Sequence, residues 1–312
     1  MYYRRKIVLA LLEQFGNELE KLKLQKLLML YCRWQEKPAY QFVPYRYGCF
    51  SFQANADLKT LIKYNEVEER ERVWRKVSGT TYTDSLKGQD RQFLRKLYTL
   101  YSQKSANELI HLTYTRYPYF AIKSGIAERH LNAEEMAAVE QEKPVSEEVG
   151  IYTIGYEGVS LEEYLNKLIH HDIKVLCDVR RNAMSMKYGF SKSQLQNACE
   201  GLGIQYIHIP EVGIASDKRK KLECQEDYDH LFVNYIESTL KSTADQQMRI
   251  IDLVKKYQRV ALTCFEKDIC QCHRKPLAES IANRPEFDYQ LRQYLRKLNN
   301  QTMPQTESPY HR

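Results

Sequence analysis

From residue 151 onward, short apolar runs alternate with stretches of helical pattern, and this rhythm constrains the fold more than any other feature of the chain. Residues 151–155, 174–179, 205–209 and 259–263 have the length and apolar character of buried strands. Between and after them, residues 160–170, 191–201, 228–257 and 276–282 carry helical spacing. The first of these helices opens on the capping-box pattern Ser160-Leu-Glu-Glu163, and the last has Pro276 in its first turn, where a missing N–H is least costly. Strands alternating with helices argue for a parallel, doubly wound α/β sheet.

Ligands of such sheets bind beyond the carboxyl ends of the strands, and the reactive residues fall there one after another. The first strand ends in Gly155-Tyr-Glu-Gly158, the second in Asp178-Val-Arg-Arg181, the third in His208-Ile-Pro-Glu-Val-Gly213 and the fourth in Cys264-Phe-Glu266. Cys270, Cys272, His273 and Arg274 follow before the last helix. Arginine presents a planar fork suited to phosphate or carboxylate, so Arg180 and Arg274 are the candidate anion ligands, Arg274 at a helix N-terminus. The alternative is that they pair with Asp178 or Glu157. Glu157 and Glu266 could work as an acid/base or nucleophile pair, and His208 as a proton shuttle.

Cys264, Cys270, Cys272 and His273 leave three readings, taken in this order. The loop binds an anion; or Cys272 is a thiolate nucleophile activated by His273, Arg274 and the helix dipole; or the cluster holds zinc. The spacing C-x5-C-x-C-H departs from the usual zinc patterns, and no second CxxC pair accompanies it. The phosphatase loop C-x5-R is missing because Asp268 stands six residues before Arg274. The zinc-deaminase, GxGxxG and GKS signatures are missing too. No cofactor is expected, with zinc as the alternative.

The first half reads as mostly helical. Leu19, Leu22, Leu24, Leu27, Leu28, Leu30 and Tyr31 form an apolar face at helical spacing. Residues 41–48, with Pro44 and Gly48, read as extended or turning, 57–64 as a short helix and 73–82 as a small hairpin around Ser78-Gly79. Residues 90–102 and 107–114 return to helix. The polar, acidic stretch 131–148 looks like a helix end and a linker. The domains are therefore expected at 1–148, helical with a small β element, and 149–312, α/β.

The first half resembles the Panacea family of SocA-like antitoxin and proteolytic-adaptor domains. The resemblance rests on Lys23-Leu-Gln-Lys-Leu-Leu28, Pro44-Tyr-Arg-Tyr-Gly48 and Glu108-Leu-Ile-His-Leu-Thr-Tyr-Thr-Arg-Tyr-Pro118, within residues 5–125, and implies a protein-recognition module without catalysis. The second half resembles the domain of unknown function 488 family over residues 150–285. That likeness rests on Thr153-Ile-Gly-Tyr-Glu-Gly158, Asp178-Val-Arg180, Gly189-Phe-Ser-Lys192, Tyr206-Ile-His-Ile-Pro210 with Gly213, and Cys264-Phe-Glu266 with Cys272-His-Arg274. It bears on fold and site location rather than on reaction. Cys177 stands where a plain aliphatic is usual, and Ala183-Met-Ser185 replaces the usual Pro-x-Ser.

Bulk properties set the remaining bounds. The net charge of +7 permits nucleic-acid contact without requiring it. Lys218-Arg-Lys-Lys221 is the one dense basic run, either a solvated loop or a clamp on a phosphate backbone. Tyr152, Tyr156, Tyr188 and Tyr206 lie near the proposed rim and could stack on bases, though half-buried packing is the commoner use of such residues. Eight cysteines, most of them scattered, suit a reducing cytoplasm. No apolar segment reaches the roughly 18 residues of a membrane span, and the N-terminus does not read as a signal peptide.

Together these readings give a cytoplasmic, bacterial-type protein acting on nucleic acid or a nucleotide, by glycosidic or phosphoester cleavage. Glu157, Asp178, His208, Glu266 and Cys272 are its candidate catalytic residues, and Arg180, Ser191 and Arg274 its anion ligands. A protein partner would engage residues 1–148. The rival reading is a non-catalytic, antitoxin- or adaptor-like interaction protein whose α/β domain senses a ligand.

Overall fold

The structure, a computed structural model, describes residues 1–215 and 222–292. The basic run at 218–221 lies outside the described residues. Contacts divide the chain into two compact units that part between Lys143 and Pro144, inside the acidic segment.

The first unit is built on α1 (Tyr3–Gln14), β1 (Glu18–Glu20) and α2 (Lys21–Cys32), followed by the hairpin β2 (Val43–Tyr45) and β3 (Gly48–Phe50). Then come α3 (Phe52–Lys63), β4 (Val67–Glu69), β5 (Val73–Lys76), α4 (Gly88–Tyr101), α5 (Ala106–Arg116) and α6 (Ala133–Gln141). Its core includes Ile7 to Leu12 of α1 and Leu24 and Leu27 to Cys32 of α2. The expected hairpin over 73–82 is corrected: β5 pairs antiparallel with β1 and with β4, so the turn lies at 70–72 and the chain after Lys76 leaves the sheet. Alternation in Val73-Trp-Arg-Lys76 marks a strand but not its partner.

Three segments of this unit meet at Lys26, which is fully buried. Its Nζ donates to the carbonyl of Tyr47 at 2.6 Å and lies 5.3 Å from the ring centre of Tyr114. Gly48, at φ +90°, leaves no room for a Cβ, which would fall 2.4 Å from Tyr114. The Lys23, Pro44 and Glu108 motifs therefore converge on one buried polar contact. Burial lowers the pKa of the Lys26 ammonium.

In the second unit the elements are β6 (Gly150–Gly155), α7 (Leu161–His170), β7 (Val175–Asp178), α8 (Lys192–Glu200) and β8 (Gln205–His208). There follow α9 (Gln225–Tyr235), α10 (Ala244–Tyr257), β9 (Arg259–Cys264), α11 (Arg274–Ala282) and β10 (Gln290–Arg292). All five strands are parallel, in the order β10-β6-β9-β7-β8. The chain thus moves outward from β6 to β8, then returns to insert β9 between β6 and β7. Right-handed crossovers place the outward helices on one face and the returning helices on the other.

Packing follows that rule. Val175, Cys177 and Val179 join Val260 and Leu262 on the face covered by Ile250, Ile251 and Val254 of α10 and Leu277 and Ile281 of α11. The alternate residue Thr263 turns the other way, accepting the hydroxyl of Tyr164 of α7 at 2.7 Å. With both faces covered, β9 is buried at every position, which is why it reads as an unbroken apolar run. α7 is capped at its N-terminus by the Ser160 hydroxyl, which accepts from the N–H of Glu163, the first half of the expected capping box. No described helix is long and apolar enough to cross a membrane.

Candidate functional site

The inserted strand decides where a ligand can sit. After β6 the chain turns to the α7 face, and after β9 to the α11 face, so their carboxyl ends mark the switch point of the sheet. The two loops are stitched together there. The N–H groups of Tyr156 and Glu157 both donate to the carbonyl of Phe265, at 3.1 and 2.9 Å, and the N–H of Lys267 donates to Glu157 Oε2 at 3.0 Å. A Cβ on Gly155 would lie 1.9 Å from the carbonyl oxygen of Glu266, so only glycine allows this approach.

Arg274, the first residue of α11, is 1% exposed. Its Nη2 donates to the Glu266 carbonyl at 2.5 Å and its Nε to Cys272 Sγ at 3.0 Å. Burial opposes the charge, but Cys272, Cys264 and Glu266 outweigh it and hold the guanidinium pKa above its ordinary value. Cys272 Sγ in turn donates to Glu266 Oε2 at 3.2 Å. Burial, then Cys264 and Glu266, push the Cys272 thiol well above its usual range against the pull of Arg274. The thiol is therefore protonated at neutral pH.

Behind Cys272, Cys264 Sγ lies 3.7 Å from His273 Nδ1, and His273 Nε2 is 2.9 Å from the carbonyl of Val179. A carbonyl can only accept, so Nε2 carries a proton and Nδ1 is the ring nitrogen that faces Cys264. The ligand atoms of Cys264, Cys272 and His273 all lie within 4.8 Å of one another, and all three residues are buried. Cys270 is exposed, and its carbonyl accepts from Gln225. Of the four residues considered for zinc, three are together and Cys270 stands apart.

At the end of β7, Asp178 is fully buried and takes four hydrogen bonds. Arg180 donates from its backbone N–H (3.1 Å), Nε (2.8 Å) and Nη2 (2.5 Å), and Tyr206 donates from its hydroxyl at 2.6 Å. Arg180 Nη1 goes to the Tyr156 hydroxyl and the Phe190 carbonyl, at 2.7 and 2.8 Å. Four of its five N–H donors are thus committed within the protein. Burial works against the Arg180 charge and Asp178 more than offsets it, raising the pKa. Tyr206 is held in its protonated form by burial and by Asp178. Tyr156 stacks on Phe190 with ring centres 4.3 Å apart. Tyr206 is therefore a buried donor to Asp178, and Tyr156 a buried acceptor from Arg180.

His208, opposite Asp178 in the sheet register, donates from Nε2 to the carbonyl of Arg180 at 2.9 Å. It lines a cleft of about 500 Å³ with Ser191, Lys192 and Arg181. Ser191 precedes α8 but bonds no N–H of its first turn, its hydroxyl donating to Gln194. Arg181 also borders a cleft of about 350 Å³ reaching Ile214, Leu231 and Tyr235. Ile214 and Leu231 border a third, of about 250 Å³, lined by Glu266 and His273. Shared lining residues set the three clefts side by side at the carboxyl edge of the sheet, together the groove. Arg181 and Lys192 join the groove, although the sequence motifs that contain them point to Arg180 and Ser191 as the anion ligands. The signal for Arg181 is its place directly after Arg180, where one of two adjacent arginines must face outward.

This unit is a parallel α/β domain with its polar residues gathered at a switch in strand order. The model of the family described as Domain of unknown function DUF488 matches residues 160–281. The matched stretch contains Asp178, Arg180, Ser191, His208, Glu266, Cys272 and Arg274, and begins after Glu157 and β6. No curated protein and no solved structure matches the chain.

Proposed function

We propose that the α/β unit is an enzyme acting on a phosphate-bearing substrate, nucleic acid or a nucleotide, along the groove at the carboxyl edge of its sheet. The observation that carries this reading is the groove's chemical polarity. One end offers Arg181, Lys192 and the N-terminus of α8, all suited to phosphate oxygens. The other offers Glu266, half-buried beside Cys272 and Arg274. Cations hold the substrate, and Glu266 moves the proton at the bond that breaks, phosphoester or glycosidic. His208 offers Nδ1 to the first cleft, because Nε2 is committed to Arg180. Glu157, exposed and tied to Lys267, contributes charge at the rim. Asp178 and Arg180 serve as the buried pair that fixes the loops. The first unit acts as a protein-recognition module in a cytoplasmic setting, a reading supported by the Panacea-like motifs and the scattered cysteines.

The test is the fluorescence anisotropy of a labelled single-stranded oligonucleotide, with a nucleotide as competitor, over a range of salt. Binding should weaken as salt rises, and Arg181→Ala and Lys192→Ala should each lower the salt slope by about one. Glu266→Gln should keep binding and lose turnover. Absence of binding at low salt, or binding indifferent to both cation changes, would overturn the reading.

A further inference from the structure

We propose that Cys264, Cys272 and His273 hold a zinc ion whose fourth position faces Glu266. Zinc bonds of about 2.0–2.3 Å in tetrahedral array set neighbouring ligand atoms roughly 3.2–3.8 Å apart. Cys264 Sγ and His273 Nδ1 are 3.7 Å apart, inside that range. The mutual limit of 4.8 Å among the three ligand atoms leaves little contraction to make.

The surroundings are those of a metal site rather than of a chance cluster. Cys264 ends β9, while Cys272 and His273 enter α11, so both anchors are regular elements. The Val179 carbonyl takes the Nε2 proton of His273, fixing the ring and directing Nδ1 at Cys264. Arg274 donates to Cys272 Sγ at 3.0 Å and offsets part of the thiolate charge. Each thiol gives up its proton to solvent as the ion enters; two thiolates, zinc and Arg274 then sum to one positive charge, and the Glu266 carboxylate brings the group to neutrality. Glu266 and His273 line the 250 Å³ cleft, so the fourth position borders the groove, where a bound water can meet the carboxylate. Cys270 takes no part.

The experiment uses the full-length chain, stripped with a chelator under reducing conditions. It is titrated with zinc alone against a chromophoric chelator, and then with cobalt, whose thiolate charge-transfer absorption reports sulfur ligation. Uptake of about one equivalent with that absorption is expected, falling to none in Cys264→Ser and Cys272→Ser and unchanged in Cys270→Ser and Glu266→Gln. Should the serine variants misfold, zinc-dependent protection of Cys264 and Cys272 from alkylation, mapped by mass spectrometry in the unaltered protein, identifies the same ligands. No zinc uptake, cobalt bound without the charge-transfer band, or protection of Cys224 or Cys270 instead would overturn the site. Loss of zinc in a folded Glu266→Gln variant would overturn the open fourth position. No substrate enters the measurement, so its failure leaves the phosphate reading standing and the converse also holds.

Discussion

Asp178 and Arg180 show how a residue's type can be legible while its partner is not. At the sequence level both are ligand or catalytic candidates, with pairing to each other as the alternative for the arginine. Their side chains are satisfied by one another and by Tyr156 and Tyr206, with Asp178 fully buried. Removing one partner of such a pair leaves a buried charge without compensation, which costs about 3–5 kcal/mol. Asp178→Asn and Arg180→Met should each lower unfolding free energy on that scale in urea titrations, and a lost activity in either must be read against that loss of fold. Cysteine chemistry sorts the same way. Cys224 and Cys270 are exposed, whereas Cys264 and Cys272 are buried and the Cys272 thiol is held protonated. In chelator-treated native protein, Ellman's reagent at neutral pH should modify Cys224 and Cys270 first and Cys272 only on unfolding. Rapid modification of Cys272 would show an accessible thiolate and restore the nucleophile reading.

At the scale of elements, the inner strands β6, β7 and β9 are visible in the sequence because both faces of the sheet are covered there, which turns each into an apolar run. Their order is not visible, since apolar runs carry no record of which neighbour they pair with. β10 escapes altogether: a strand of three residues has too little pattern to register. The helix α1 escapes as well, because it is buried around its whole circumference from Ile7 to Leu12 and shows no polar face to set its period. The rim, by contrast, is legible through loop composition, and the junction of β6 with β9 can be tested there. Gly155→Ala sets a methyl against a backbone carbonyl that a side-chain rotation cannot move. A destabilisation of about 1–3 kcal/mol is expected from such overpacking, together with weaker zinc binding, because the Glu266 carbonyl that orients Arg274 must shift. Ser160→Ala, which removes only the α7 cap, should cost about 1 kcal/mol and leave zinc affinity alone. Thermal unfolding with a parallel zinc titration separates the two outcomes.

For the molecule as a whole, two apolar cores stand out among the described residues, one in each unit. The first runs from Ile7 to Phe120 and the second from Ile151 to Phe287, with no member shared. A unit of this size buries most of the surface its unfolded chain exposes, enough for independent stability. Residues 1–143 and 144–312, produced separately, should therefore each unfold in a single cooperative transition, with denaturant slopes proportional to the surface each exposes. The α/β fragment carries Cys264, Cys272, His273 and the full groove, so it should keep both zinc and oligonucleotide binding. A fragment that folds yet binds neither would overturn the assignment of both sites to residues 144–312.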